Sequence, residues 1–192
     1  MGTELVARGF AQHPVLWSAR AALDAPELLR AIHLDYLRAG ANILTANTFR
    51  ASAYAGAKAG LTVAETRKLC HASIAIATEV LEDANLAGPL FLAGSLAPLE
   101  DCYKPWLVQD LATLEASHLT TARWLVEGGC DVVLVETMGT TREAVVAVRA
   151  ARKAGAGSVA VSFITDSTGQ RLLGGARLSD AAMQCMLSGA ET

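Results

Sequence analysis

The sequence predicts an α/β fold in which short parallel strands alternate with longer helices. Three observations carry that expectation. Short runs rich in Val, Ile, Leu and Ala recur between segments of helical period, the pattern of repeated β/α units. Each run is nearly continuous in apolar residues and ends in polar ones, as a strand covered on both faces does. The 192 residues are 52% hydrophobic and only 18% charged, so the chain buries a real core and is not a disordered or solvating protein.

In chain order, Asp24 with Pro26 and Glu27 opens a helix through Leu28, Ile32 and Tyr36 to Gly40, which is placed to take the left-handed stop. The strand Asn42 to Phe49 follows. Thr62-Val63-Ala64-Glu65 reads as a capping box for a long alanine-rich helix to about Asn85. After the strand Leu90 to Ser95 comes an irregular connection, Ala97 to Val108, with Pro98 and Pro105. A helix from about Leu111 to Glu127 stops at Gly128-Gly129 and feeds the strand Val132 to Thr137. Thr140-Thr141-Arg142-Glu143 repeats the capping device before a helix that ends near Gly155. The strand Ser158 to Thr165 follows, and Ser179 starts a last helix. No linker, repeat or composition shift divides residues 1–192, which form a single domain. Two architectures suit four such units, an open doubly wound sheet or part of a closed (β/α)8 barrel. No strand end carries Gly-x-Gly-x-x-Gly or a P-loop, which weighs against a dinucleotide-binding sheet.

Composition also narrows the partners. The formal charge is −3 and the pI about 5.8, with Lys and Arg scattered, so nothing marks a nucleic-acid or anionic-membrane surface. No apolar run approaches the roughly 18–20 residues that cross a bilayer, and no signal peptide opens the chain, so a cytoplasmic protein with a small-molecule ligand is expected. Cys70, Cys102, Cys130 and Cys185 lie dozens of residues apart, without zinc-finger spacing, and read as reduced, mostly buried thiols. His33 and His118 read as packing and capping residues rather than ligands.

In a parallel arrangement the carboxyl ends of the strands share one mouth, where ligands of α/β enzymes sit. Asn47, Thr48, Ser95, Glu136, Thr137 and Ser162 would converge there. Glu136 is the most informative, because a carboxylate after four apolar strand residues is partly desolvated and needs a cation or donors to stay ionised. An amino-acid ammonium is one such partner; a structural salt bridge is the other. Asn47 and Thr48 can hold a carboxylate or simply satisfy loop backbone. Ser95 lacks a Gly-x-Ser-x-Gly context, so a serine hydrolase is not expected. Trp17 could touch substrate from a mobile loop or lie as a lid over the rim.

The strings Met1-Gly2-Thr3-Glu4-Leu5 with Arg8-Gly9, Leu16-Trp17-Ser18, His33 to Ala41, Thr45-Ala46-Asn47-Thr48-Phe49, Ala93 to Pro98, Gly129-Cys130-Asp131, Val135-Glu136-Thr137-Met138 and Val161-Ser162-Phe163 occur in order. Together they resemble the homocysteine S-methyltransferase family over essentially the whole chain. The resemblance implies a TIM barrel, here partial, with strands 2 to 5 and their helices, truncated at both ends. It implies an enzyme that transfers a methyl group from a small-molecule donor to the homocysteine thiol, giving methionine. It also implies Zn2+, held by three cysteine thiolates, and a strand-end glutamate matching Glu136 that holds the substrate amino group.

Two departures from the family pattern bear on function. The Asp-Gly that ends the family's first strand would precede Met1, and the three zinc cysteines would follow Thr192, so the 192 residues alone are expected to be inactive. Gly128-Gly129-Cys130 mimics the zinc-binding string but precedes its strand, which places Cys130 at the opposite face as a core residue. The other reading is a non-catalytic amino-acid-binding or interaction fragment of the same fold. A barrel cut at both ends leaves the strands near Asn42 and Ser158 without one neighbour each, so self-association of the chain through exposed strand edges is expected. S-methylmethionine, S-adenosylmethionine, betaine and a folate all remain open as donors. In betaine-using relatives tyrosines stand at the positions of Arg50 and Thr137, which weighs modestly against betaine.

Overall fold

The structure, a computed structural model, describes residues 1–83 and 88–191. Four parallel strands, β1 (Ile43–Ala46), β2 (Phe91–Leu96), β3 (Val132–Met138) and β4 (Ser158–Phe163), lie side by side in sequence order. A doubly wound sheet reverses its strand order at a switch point. This one steps in a single direction, Ile43 against Phe91, Ala93 against Val132 and Val132 against Ser158, as an arc of a barrel does. Around them lie the helices α1 (Gly2–Ala7), α2 (Ala21–Asp24), α3 (Pro26–Arg38), α4 (Ala53–Lys58), α5 (Val63–Asp83), α6 (Leu111–Glu127), α7 (Thr141–Lys153) and α8 (Leu178–Leu187), with short 3-10 turns at Ser18–Arg20 and Pro105–Leu107. No helix among the described residues is long and apolar enough to cross a membrane.

Local chemistry explains most boundaries. α3 has Pro26 in its first turn, buries Leu29, Ile32, His33 and Leu37 along one face, and is followed by Gly40 at φ +97°. Its N-cap is Ala25; Asp24 instead closes α2 and pairs with Arg20 at 2.7 Å. The capping box at α5 is complete: Thr62 N–H donates to Glu65 Oε2 at 2.8 Å and Glu65 N–H to Thr62 Oγ1 at 3.2 Å. The expected end of that helix near Asn85 falls outside the described residues. At α7 only half the box forms. Glu143 N–H reaches Thr140 Oγ1 at 3.3 Å, while the buried Glu143 carboxylate turns inward to Leu99 N–H at 2.8 Å and His118 Nε2 at 3.3 Å. α8 begins at Leu178, one residue before Ser179, and Arg177 at its N-cap position makes no side-chain cap.

β1 stops at Ala46 instead of Phe49 because Asn47, Thr48 and the residues after them bend away into side-chain hydrogen bonds. The core lies between the sheet and its helices, with Leu29, Ile32, Leu69, Leu96, Leu125 and Met138 buried. Replacing any of these leucines by Ala removes about 2–5 kcal/mol. At one point the Thr66 side chain of α5 presses against Gly56 of α4, so closely that a Cβ on Gly56 would overlap it, and only glycine fits there. Cys130 precedes β3, and its sulfur lies 2.8 Å from where a Cβ on Gly94 would stand. It packs against the core near the amino ends of the strands, remote in sequence and strand position from Glu136.

Candidate active site

The carboxyl ends of β1 and β3, the connection after β1, the segment before α2 and the amino-terminal residues Met1 to Thr3 border an open cavity of about 690 Å³. That is within the range of pockets that accept small metabolites. Thr45 and Asn47 contribute from the β1 side, Glu136 from β3, Trp17 and Phe49 from the connections, and Tyr103 from the long segment after β2.

Glu136 faces the cavity because β3 breaks its regular register between Val135 and Met138. Within that break Thr137 has φ +55°, a left-handed conformation that a β-branched residue adopts only when its surroundings impose it. Thr137 N–H donates to Ser162 Oγ at 3.2 Å, and its own hydroxyl donates to the Glu136 carbonyl at 2.7 Å, which fixes the kink. Ser95 Oγ donates to Glu136 Oε1. Desolvation pushes the Glu136 carboxyl above its usual range, and the Ser95 hydrogen bond and the more distant Met1 ammonium oppose that rise. Among the described residues no Lys or Arg side chain acts on it.

The other expected residues divide into two groups. Trp17 and Asn47 line the cavity with Glu136; Thr48, Ser95, Thr137 and Ser162 do not line it. Thr48 is buried and locks two strand ends together, donating to the Ser95 carbonyl at 3.0 Å and accepting from Ser95 N–H at 2.9 Å. The Asn47 amide is engaged by Ser18, donating to its carbonyl at 2.7 Å and accepting from its hydroxyl at 3.1 Å. Trp17 sits in a tight hydrogen-bonded turn rather than a free loop. Its N–H and carbonyl pair with His13, and the His13 ring accepts from Val15 and Leu16 at 3.1 Å.

Sequence reading missed the aromatic and cationic wall beside Glu136. Trp17 and Phe49 stack with centroids 5.7 Å apart, and Arg50 Cζ lies 4.2 Å from the Trp17 centroid. Only the adjacency of Phe49 and Arg50 hinted at this; the partner Trp17 comes from a distant turn. Burial pulls the Arg50 guanidinium below its usual value, but an arginine remains charged.

Burial pushes Cys70 and Cys130 up to about 12 and Cys185 up to about 11, and raises Cys102 as well. Among the described residues no group of three His, Cys, Asp or Glu side chains could hold a metal ion. The residues present do not fit a three-thiolate zinc site.

Sequentially ordered parallel strands with a cavity at their carboxyl ends define part of a β/α barrel. The sequence profile of the homocysteine S-methyltransferase family matches residues 1–189, and the chain belongs to that family. It is 32% identical over 152 residues to the homocysteine S-methyltransferase of Escherichia coli K12, covering 72% of this chain and 48% of the relative. It is 29% identical over 164 residues to a selenocysteine Se-methyltransferase of Brassica oleracea var. italica, covering 75% and 48%. Thus the chain spans about half the length of the curated relatives it matches. Among solved structures, the metallated form of the homocysteine methyltransferase MmuM from Escherichia coli superposes with a TM-score of 0.88 at 28% identity. That match covers 98% of this chain and 69% of MmuM. The partial-barrel fold is therefore shown.

Proposed function

We propose that this chain supplies the amino-acid-binding part of a homocysteine S-methyltransferase. The reading is carried by one observation: Glu136, which makes no ion pair with a Lys or Arg side chain among the described residues, faces a cavity at the strand ends, where the Met1 ammonium acts on it only from beyond ion-pairing distance. A desolvated carboxylate is stabilised by an incoming ammonium, so the amino group of homocysteine binds there. Thr137 and Ser162 hold the backbone that aims Glu136, and Ser95 fixes its Oε1. Thr48 acts one step back, by holding the β2 end that carries Ser95.

In the reaction a bond forms between the homocysteine sulfur and the donor's methyl carbon, the bond from that methyl to the donor breaks, and the thiol proton is released. A thiol with a pKa near 8.5 is mostly protonated at neutral pH. In zinc enzymes coordination supplies the deprotonation, and a relative is described in a metallated form. The described thiols offer no such set. A metal would need ligands other than the described residues. The cavity's role in this chain is to bind and orient the amino acid.

Isothermal titration of L-homocysteine into the chain tests the proposal. Saturable binding is expected, weakened about tenfold or more in Glu136→Gln, which removes a charge-assisted contact of about 1.5–3 kcal/mol. Equal affinity in the two proteins, with both folded by circular dichroism, would refute the assignment.

A further inference from the structure

Trp17 lines the cavity from a strained position. Its backbone has φ +47°, a left-handed conformation that a bulky residue keeps only where its surroundings over-determine it. The core gives little of that support: among the described residues neither Trp17 nor Phe49 belongs to the packed hydrophobic clusters. A second open cavity, of about 220 Å³, is lined by Trp17 and Arg50 together with Pro14, Val15, Lys58 and Leu99. Trp17 and Arg50 also line the cavity that Glu136 faces, so their side chains form the partition between two spaces. An indole between two voids stays in place only if its neighbours hold it.

Arg50 supplies that hold. Its Cζ lies 4.2 Å from the Trp17 ring centroid and 5.5 Å from that of Phe49, and the two rings stack 5.7 Å apart, so the guanidinium seats against both. Its terminal nitrogens donate to the carbonyls of Pro98, Leu99 and Glu100 at 3.4, 3.2 and 3.0 Å, which anchors it to the connection after β2. Burial lowers its pKa, and the Asp101, Glu100 and Glu143 carboxylates around it oppose that fall and so stabilise the buried charge. One side chain thus ties the turn that carries Trp17 to the connections after β1 and β2. A lysine there would keep the charge, but its single ammonium could not serve the ring and three carbonyls together.

Resting on the reading of this chain as the amino-acid-binding part of a homocysteine S-methyltransferase, we propose that Arg50 is a positioning residue. It acts through Trp17, holding the indole as a fixed wall of the cavity against which the amino acid lies.

A double-mutant cycle on L-homocysteine binding tests this by calorimetry in the wild type, Arg50→Ala, Trp17→Gly and the combined variant. Glycine suits the left-handed backbone at position 17, so Trp17→Gly is expected to fold. Arg50→Ala and Trp17→Gly are each expected to weaken binding about fivefold or more, and the combined variant to be no more than about twofold weaker than Trp17→Gly alone. Unchanged affinity in a folded Arg50→Ala protein, or the full Arg50 loss persisting in the Trp17→Gly background, overturns the proposal, because Arg50 would then not act through the indole. A ligand-free readout comes from 19F spectra of protein labelled with 5-fluorotryptophan, in which the Trp17 signal is the one missing from Trp17→Gly. That line should broaden or split in Arg50→Ala while those of Trp106 and Trp124 stay as they are; a Trp17 line as narrow as in the wild type overturns the proposal. Should Arg50→Ala fail to fold, Arg50→Lys takes its place in both measurements with the same expectations. If the wild type binds no homocysteine, the functional reading built on Glu136 fails, and the Trp17 line still decides whether Arg50 positions the indole.

Discussion

Ser95, in β2, donates its hydroxyl to Glu136 Oε1 at the end of the neighbouring strand β3. That contact stabilises the ionised carboxylate against the burial that raises its pKa. An ammonium ligand needs the ionised form, so affinity should fall as pH drops through a value above the ordinary carboxylate range. Ser95→Ala removes the opposing hydrogen bond and should move that fall to still higher pH. It should also cost about 1–2 kcal/mol of amino-acid binding. The check is the dissociation constant of L-methionine measured from pH 5 to 8 in both proteins; superimposable profiles would show that Ser95 does not tune Glu136.

Glu143 is a buried brace for the connection that Arg50 grips. Its Oε1 accepts from Leu99 N–H at 2.8 Å and lies 3.3 Å from His118 Nε2. Glu143→Ala strands both partners in the interior and should lower unfolding stability by about 3 kcal/mol, whereas Glu143→Gln keeps an acceptor and should cost less. Urea denaturation measures the loss. Faster amide exchange over residues 97–108 in Glu143→Ala would localise it, and an unchanged midpoint would remove Glu143 from this role.

His33, on α3, is almost completely buried. Desolvation lowers its pKa from 6.5 to about 4, and its Nε2 has no partner among the described residues. The unfolded chain therefore takes up a proton near pH 6.5 that the folded chain refuses until about pH 4. Stability should fall as pH drops through that window, by up to about 3 kcal/mol in all. His33→Leu should flatten this part of the profile. Thermal melts at half-unit steps from pH 7 to 4 give the comparison.

Zinc binding by the 192 residues should be weak. Metal ligation needs thiolates, and burial holds Cys70, Cys130 and Cys185 protonated well past neutrality. Atomic absorption after dialysis should find well under one zinc per chain. A stoichiometric metal that is lost in Cys130→Ser would contradict both this expectation and the packing of Cys130 against Gly94.

Much of the frame was legible because it is written in local sequence. Runs such as Val132 to Val135 announce strands, Thr62 and Glu65 announce a helix start, and Gly40 announces a helix end. α1 and α2 went unseen because a helix of one or two turns leaves no periodicity to read. Glu143 looked like the second half of a capping box, but a tertiary contact with Leu99 competes for its carboxylate and wins. At the site, Glu136 stood out because its charge follows apolar strand residues. The left-handed Thr137, the engagement of Thr48 by Ser95 and the seating of Arg50 on Trp17 depend on residues brought together from distant parts of the chain. Spacing along the sequence carries no trace of them.

The most direct test of the account is a crystal structure of the chain with L-homocysteine bound. The account predicts the amino acid in the cavity between Trp17 and Glu136, with its ammonium nitrogen at about 2.8 Å from a Glu136 oxygen. Homocysteine bound elsewhere, or lying in this cavity with its ammonium away from Glu136, would contradict it.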